Sequence, residues 1–343
     1  MKNLLLILRK HDEPSARFRY LSYLPRLKLD FNVSVFFVEP RLGNRIRFLK
    51  SPIKILSIFA LIFRSRKYDV IVMQRPMTST RKKTAIFEKL ISRFNKNIVF
   101  DMDDAIFVPN PVQIRSILKI SALCICGNEF IRSYCSQYNA NSVVVPTGID
   151  VAKFKPKAQA LISDEKNNIV IGWTGTSGNY QYFSDELKQS IRVILSSRRN
   201  VELIIISDEL PDSTFDFPYT FLPWRSLSEV EDLQKIDIGL MPLDDSDWAR
   251  GKCGFKIIQY GSIGIPALAS PVGVNSEIII NNQTGVLVPD GFWQSAMERL
   301  IDDTALRTAM GMAARERVEM RYSTNVLYEE IKRILDSFAP IRQ

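Results

Sequence analysis

The chain has 343 residues, of which 46% are apolar and 24% charged; this excludes a disordered segment and suits two domains with a core each. The net charge of +9 is unevenly spread: residues 1–100 hold 22 Lys or Arg against six Asp or Glu, whereas 151–343 hold 21 against 26. A cationic first third joined to a mildly acidic remainder points to an anionic surface, phospholipid or nucleic acid.

The opening run at 4–8 superficially looks like a signal peptide. Its apolar stretch is short, Arg9, Lys10, His11 and Asp12 follow it, and no small-residue cleavage site is present, so it reads as a first buried strand. Further strands are expected at 33–38, 70–73, 98–100, 122–125 and 143–145, with helices at 17–28, 53–66, 84–94 and 129–138 between them. Four cysteines (Cys124, Cys126, Cys135, Cys253) show no zinc-type spacing. They are expected to be reduced thiols of a cytoplasmic protein. A polar stretch from Lys153 to Asn168 reads as a linker, and the pattern then restarts. Strands are expected at 169–173, 201–206, 219–222, 238–241, 267–269 and 285–288, with helices at 182–197, 227–235, 254–263, 276–281, 293–302 and 303–322, and a last helix at 325–338. Strand–helix alternation of this kind predicts an α/β protein of two doubly wound, Rossmann-like parallel-sheet domains facing each other across a cleft, with ligands at the carboxyl ends of the strands. The expected limits are 1–155 for a first domain, 165–323 for a second, and 324–343 for a closing helix.

Residues 248–277 carry the densest signal. A small-residue loop meets a helix start at Cys253, Gly254 and Phe255; Gly264 and Pro266 end that helix, and the strand 267–269 follows. Arg250, Lys252 and Lys256 around a helix N-terminus suit an anion such as a diphosphate, and Gly254 allows close backbone approach. The plainer reading of these bases is a solvated loop. The order helix, Gly264-Ile265-Pro266, strand, Ser270-Pro271-Val272-Gly273, Glu277 resembles the donor signature of the retaining "group one" glycosyltransferases of family four, which have the GT-B fold. Asn282 to Pro289, Arg315 to Ser323, and the loop at Gly172-Trp173-Thr174-Gly175-Thr176 resemble further parts of it. Pro14 to Arg19 and Phe100 to Ala105 resemble a subgroup of surface-polysaccharide assembly.

The resemblance implies transfer of a sugar, with retention and without a metal, from a nucleoside diphosphate sugar to a glycan or lipid-linked acceptor. It implies no cofactor, the nucleotide sugar being a co-substrate. Donor contacts are expected from Gly175, Thr176, Arg250, Lys252, Gly254, Phe255, Lys256, Gln259, Asn275 and Glu277. There are departures. The family's Glu-x7-Glu pair falls on Gly251 and Gln259, so neither carboxylate is present, and residues 173–182 hold no Lys or Arg. A catalytically degenerate nucleotide-sugar-binding or scaffold protein, and a GT-B sugar epimerase, therefore stand as alternatives.

Asp101, Asp103 and Asp104 follow a buried strand, where a cap, an acceptor-binding or proton-accepting carboxylate, or a metal site are all open readings. Asp101, Asp103 and His11, the one histidine of the chain, are the catalytic candidates. Trp224 suits either packing or a nucleobase contact. Arg41, Arg45, Arg47, Lys50 and Lys54 precede the apolar run 55–63, and Arg64, Arg66 and Lys67 follow it. This is too short to span a bilayer and suits an anionic membrane surface, which predicts a peripheral protein on the inner face of the plasma membrane. A core helix with solvated ends is the alternative. No nucleic-acid motif accompanies the charge, and no nucleic-acid partner is expected.

Overall fold

A computed structural model describes residues 1–38, 52–77, 84–156, 168–211 and 215–340. The chain forms two units: Met1–Gly148 with Gly251–Cys253 and Thr324–Gln343, and Ile149–Arg250 with Gly254–Ser323. The helix expected to close the chain as a separate element, Thr324–Asp336, thus belongs to the first unit. The cluster Arg41, Arg45, Arg47 and Lys50 lies outside the described residues.

In the first unit the strands are β1 (Lys2–Leu8), β2 (Phe31–Phe37), β3 (Val70–Gln74), β4 (Ile98–Met102), β5 (Leu123–Cys126) and β6 (Ser142–Val144). They run in the order β2-β1-β3-β4-β5-β6, all parallel. Helices cover both faces of such a sheet, which is why β1, β3 and β4 read as unbroken apolar runs rather than alternating ones. On one face Leu4, Leu6, Val70, Val72 and Val99 pack with Tyr20, Tyr23 and Leu27, and with Leu327, Tyr328, Ile331 and Leu335 of the helix Thr324–Asp336.

In the second unit β7 (Ile169–Thr174), β8 (Val201–Ser207), β9 (Thr220–Pro223), β10 (Ile238–Met241), β11 (Ala267–Ala269) and β12 (Gly285–Leu287) are ordered β12-β11-β10-β7-β8-β9 and again parallel. Ile171, Trp173, Leu203, Ile205, Ile238 and Leu240 form its core with Leu187, Ile191, Met297 and Leu300 from the helices Asp185–Ser197 and Trp293–Asp302. Arg315, in the helix Thr304–Arg321, donates to the carbonyls of Phe154 (2.6 Å) and Val151 (3.0 Å), tying down the segment that enters this unit.

Local departures have local causes. The helix expected at 17–28 is three pieces, Pro14–Arg19, a 3-10 turn Leu21–Tyr23, and Leu24–Asp30, because Tyr20 leaves the helical region (φ −138°). Pro25 then starts the last piece, where its missing N–H costs nothing. Pro111 likewise opens the helix Pro111–Leu118, which periodicity did not predict. The turn ahead of Asp185–Ser197 is the separate 3-10 segment Ser177–Tyr182.

Glu88, fully buried in the helix Ile86–Phe94, accepts the Met77 N–H at 2.7 Å and leaves Oε2 without a partner. Burial pushes its carboxyl above the ordinary range, only partly offset by backbone hydrogen bonds. A raised folded-state value gives stability that is complete below the unfolded carboxyl's value of about 4.3 and is lost as pH rises through the folded one. Glu88→Gln keeps the accepting oxygen and removes the titration. Its melting temperature should exceed the parent's at pH 8 and the gap should close near pH 4; a gap constant with pH would refute the account.

Candidate functional site

In the second unit the strand order reverses between β7 and β10, the place where doubly wound sheets bind ligands beyond their carboxyl ends. The connections that leave these strands, counting the helix Phe255–Ser262, carry eight of the ten candidate donor residues. After β7 comes Gly175, whose N–H donates to the Ile206 carbonyl at 3.0 Å. Beyond β10 the chain reaches Gly254 and the helix Phe255–Ser262. Gly254 is left-handed (φ +62°), and a Cβ there would lie 2.3 Å from Ile278 Cδ1 and 3.0 Å from Val274 Cγ1. Only glycine meets both conditions without strain.

This entry sets the first turn of the helix so that Lys256 extends over Gly175: a Cβ on Gly175 would come 2.7 Å from Lys256 Cε and 2.9 Å from the Trp173 ring. Lys256 Nζ lies 5.4 Å from the Trp173 centroid, within cation–π range. A cation is therefore held beside the positive end of a helix dipole, above a bare backbone loop. Asn275, fully buried, donates Nδ2 to the Ser270 carbonyl at 3.0 Å. Its Oδ1 has no partner and lies 3.4 Å from the position of a Gly254 Cβ. A buried acceptor without a donor is costly unless something supplies one.

Further along the helix, Gln259 is buried and donates Nε2 to Glu229 Oε1 at 3.2 Å; Trp224 Nε1 donates to the same oxygen at 3.3 Å. Glu229, in the helix Glu229–Leu233, was not a candidate from sequence. An acid in a helical first turn is common, and the only signal would have been a carboxylate able to replace the missing Glu at 259.

The remaining donor candidates are placed differently. Arg250 is engaged by Asp245 in a bidentate pair (2.7 and 2.7 Å) on the surface. Lys252 belongs to the first unit with Gly251 and Cys253, and its carbonyl accepts from Asn128 Nδ2 at 2.9 Å. The three bases expected as one cluster are thus divided between units. Gly251 passes so close to Ala105 that a Cβ would lie 2.2 Å from the Ala105 Cβ, so no carboxylate side chain fits at this position. Thr176 and Glu277 are exposed; Thr176 Oγ1 accepts from Asn179 Nδ2 at 2.7 Å, and the Glu277 carbonyl accepts from Arg317 at 2.6 Å.

The catalytic candidates of the first unit require a correction. Asp101 is fully buried, and both its oxygens are taken by Arg19, which also donates to the Val145 carbonyl at 2.7 Å. Burial opposes the Arg19 charge, yet the carboxylate holds the guanidinium above its usual range. Sealed and doubly bonded, Asp101 offers no free oxygen to an acceptor hydroxyl. Asp103 accepts from Arg75 Nη2 at 2.9 Å, and the same guanidinium also bonds Asp104 and the Ser15 hydroxyl. Burial works against Asp103 ionising, but Arg75 and Ser15 outweigh it and hold the carboxyl below its ordinary range, so it is a weak base at neutral pH. Arg75 itself sits at φ +65°, a strained value for a non-glycine residue. His11 is an exposed loop residue, 3.3 Å from Asp12 and beside Phe37. Sequence reasoning also missed Gln74, which pairs in register with Asp101 and is buried with neither amide atom partnered.

Two parallel-sheet, doubly wound units of this topology define the GT-B fold. Residues 168–303 match the family "Glycosyl transferases group 1". It is 26% identical over 202 residues to the capsular polysaccharide biosynthesis glycosyltransferase CapM of Staphylococcus aureus, covering 55% of this chain and 51% of that one. It is 24% identical over 242 residues to the GDP-mannose-dependent monoacylated alpha-(1-6)-phosphatidylinositol monomannoside mannosyltransferase of Corynebacterium glutamicum, covering 64% and 63%. The aligned parts are thus about half to three-fifths of those curated relatives. Among solved structures, the fold is similar to HepE of Anabaena in complex with UDP and glucose (TM-score 0.69, 16% identity, 98% and 100% covered). It is similar also to sucrose-phosphate synthase of Thermosynechococcus elongatus (TM-score 0.71, 12% identity, 98% and 99% covered). At these identities the likeness is one of fold.

If Lys256 binds a diphosphate, Lys256→Ala should weaken nucleoside diphosphate binding by about 10- to 100-fold, the value of a charge-assisted hydrogen bond. Gly175→Ala should weaken it as well by displacing the Lys256 chain. Titration calorimetry on the double variant should show it no worse than the poorer single one; additive losses would mean the two residues act apart. Asp101→Ala should cost ~3–5 kcal/mol in urea unfolding, because Arg19 is left buried and unpaired. A loss of turnover at unchanged stability would restore Asp101 as a catalytic candidate.

Proposed function

We propose that this chain is a glycosyltransferase, moving a sugar from a nucleoside diphosphate sugar to a glycan or lipid-linked acceptor in the synthesis of cell-surface polysaccharide or glycoconjugate. The observation that carries the reading is the Lys256 cation held across Gly175 at the helix start, with the unpartnered Asn275 oxygen beside it. In this reading the diphosphate lies against Lys256 and the amino end of the helix Phe255–Ser262, which oppose the negative charge that grows as the bond from the sugar's anomeric carbon to phosphate breaks. Positive charge comes from these groups rather than from a metal, and no cofactor enters. The Asn275 oxygen accepts from a sugar hydroxyl, and Gln259, braced by Glu229 and Trp224, lies toward the nucleoside. Arg250 joins only by exchanging Asp245 for phosphate, which a weak exposed pair permits.

The acceptor oxygen forms its bond to the anomeric carbon on the face the diphosphate leaves, giving retention, and its proton passes to a donor phosphate oxygen. No enzyme base is then needed, consistent with the buried Asp101 and the weakly basic Asp103. The acceptor belongs to the first unit, where Gln74 offers unpartnered amide atoms. The protein would work on the inner face of the plasma membrane, where the buried thiols of Cys124, Cys126 and Cys135 stay reduced.

The full chain should release nucleoside diphosphate from one of a panel of UDP- and GDP-sugars only when an acceptor extract is added. Tight donor binding without release would overturn the reading in favour of a nucleotide-sugar-binding scaffold. Conversion of the donor with no acceptor present would overturn it in favour of an epimerase.

A further inference from the structure

At the strand-order reversal of the second unit a side chain takes the place of a rung in the sheet. β7 and β8 pair from Ile169 to Thr174, but β7 and β10 pair at Ile171–Ile238 and Gly172–Gly239 and no further toward their carboxyl ends. Both strands run on past that point, β7 to Thr174 and β10 to Met241. The Tyr260 hydroxyl stands between them: it accepts the Thr174 N–H at 3.1 Å and donates to the Leu240 carbonyl at 3.2 Å. Thr174 and Leu240 are buried, so these main-chain groups must be paired inside the protein. A hydroxyl with one bond to each strand keeps the two strand ends further apart than a direct N–H···O bond of about 2.9 Å would.

The sequence makes room for this wedge. Gly239 lies under the ring, and a Cβ there would come 2.4 Å from Tyr260 Cδ2, so any side chain would push the ring and its hydroxyl out of the gap. Tyr260 is fully buried. Burial pushes its phenol well above the ordinary range, against the opposing Thr174 hydrogen bond, so the hydroxyl keeps its proton and can donate as well as accept.

Both ends of the wedge lead to the donor residues. Gly175 follows Thr174 directly, and Lys256 lies four residues before Tyr260, on the same face of the helix Phe255–Ser262. Gly254 sets where this helix begins; Tyr260 sets how far it stands from the residue that leads into the Gly175 loop.

We infer that Tyr260 is a positioning residue for donor binding: its hydroxyl splays β7 from β10 and so sets the spacing between Lys256 and the Gly175 backbone in which a diphosphate fits. The inference deepens the proposed donor site and rests on it.

Tyr260→Phe removes the hydroxyl and keeps the ring. In titration calorimetry of the full chain with UDP and with GDP, whichever nucleotide the parent binds should be held about five- to tenfold more weakly, the contribution of one hydrogen bond. In a Lys256→Ala background the same change should cost less than about twofold, because the spacing acts through that cation. Gly239→Ala, which displaces the ring, should repeat the loss and add little to it when combined with Tyr260→Phe. Met297→Ala, in the core against the helix Asp185–Ser197, should lower the melting temperature at least as much as Tyr260→Phe and leave nucleotide affinity unchanged, which separates positioning from a general loss of stability. An unchanged dissociation constant in Tyr260→Phe, or a loss of equal size with and without Lys256, would overturn the inference; the donor site itself stands if Lys256→Ala still weakens binding. If Lys256→Ala has no effect, or the parent binds neither nucleotide, the donor reading falls and takes the inference with it.

Discussion

The backbone at Gly254 turns in the left-handed region, and that one turn decides where the helix Phe255–Ser262 begins and which way its first side chains leave. With the helix fixed there, Lys256 must cross Gly175, Gln259 must meet Glu229, and Val274, Asn275 and Ile278 must close around a position with no side chain. A side chain at 254 would pay for both the dihedral angle and the collision with Ile278. The glycine at 175 is needed for a complementary reason: it has an ordinary backbone, but the space above it belongs to the lysine.

The first unit is organised by charge instead. Arg19 holds Asp101 near the end of β4, sealed from solvent, and Arg75 holds Asp103 and Asp104 just after that strand, where it is partly exposed. A buried ion pair seldom gains much over apolar packing, but leaving one partner alone is expensive. Such pairs fix the geometry of the loops after β3 and β4, and the strained φ of Arg75 is part of that arrangement.

Much of the fold was legible because parallel strands covered on both faces leave unbroken apolar runs, as in β1 and β8, and need no long-range information. The helix start at Gly254 with Lys256 in its first turn was legible because a glycine at a helix start and a base in the first turn are local signals. What was not legible is non-local. Glu229 and Gln259 are 30 residues apart, and Arg19 and Asp101 are 82 apart. Read alone, an Asp after a buried strand resembles a catalytic carboxylate as much as half of an ion pair. The pairing of Arg250 was hidden for the opposite reason: its partner, Asp245, is close in sequence, but a bend places the two side chains together where a count of charges shows only a base near a helix. The break at Tyr20 was hidden because helical apolar spacing continues across it.

The helix Thr324–Asp336 places Leu327, Tyr328, Ile331 and Leu335 in the core that also holds Leu4 and Leu6. During synthesis this helix is made after every strand of the second unit. The first sheet must therefore wait, with one hydrophobic face uncovered, while the whole of the second sheet emerges from the ribosome. The unit translated first is then the one finished last, and its exposed face is where a chaperone would have most to hold.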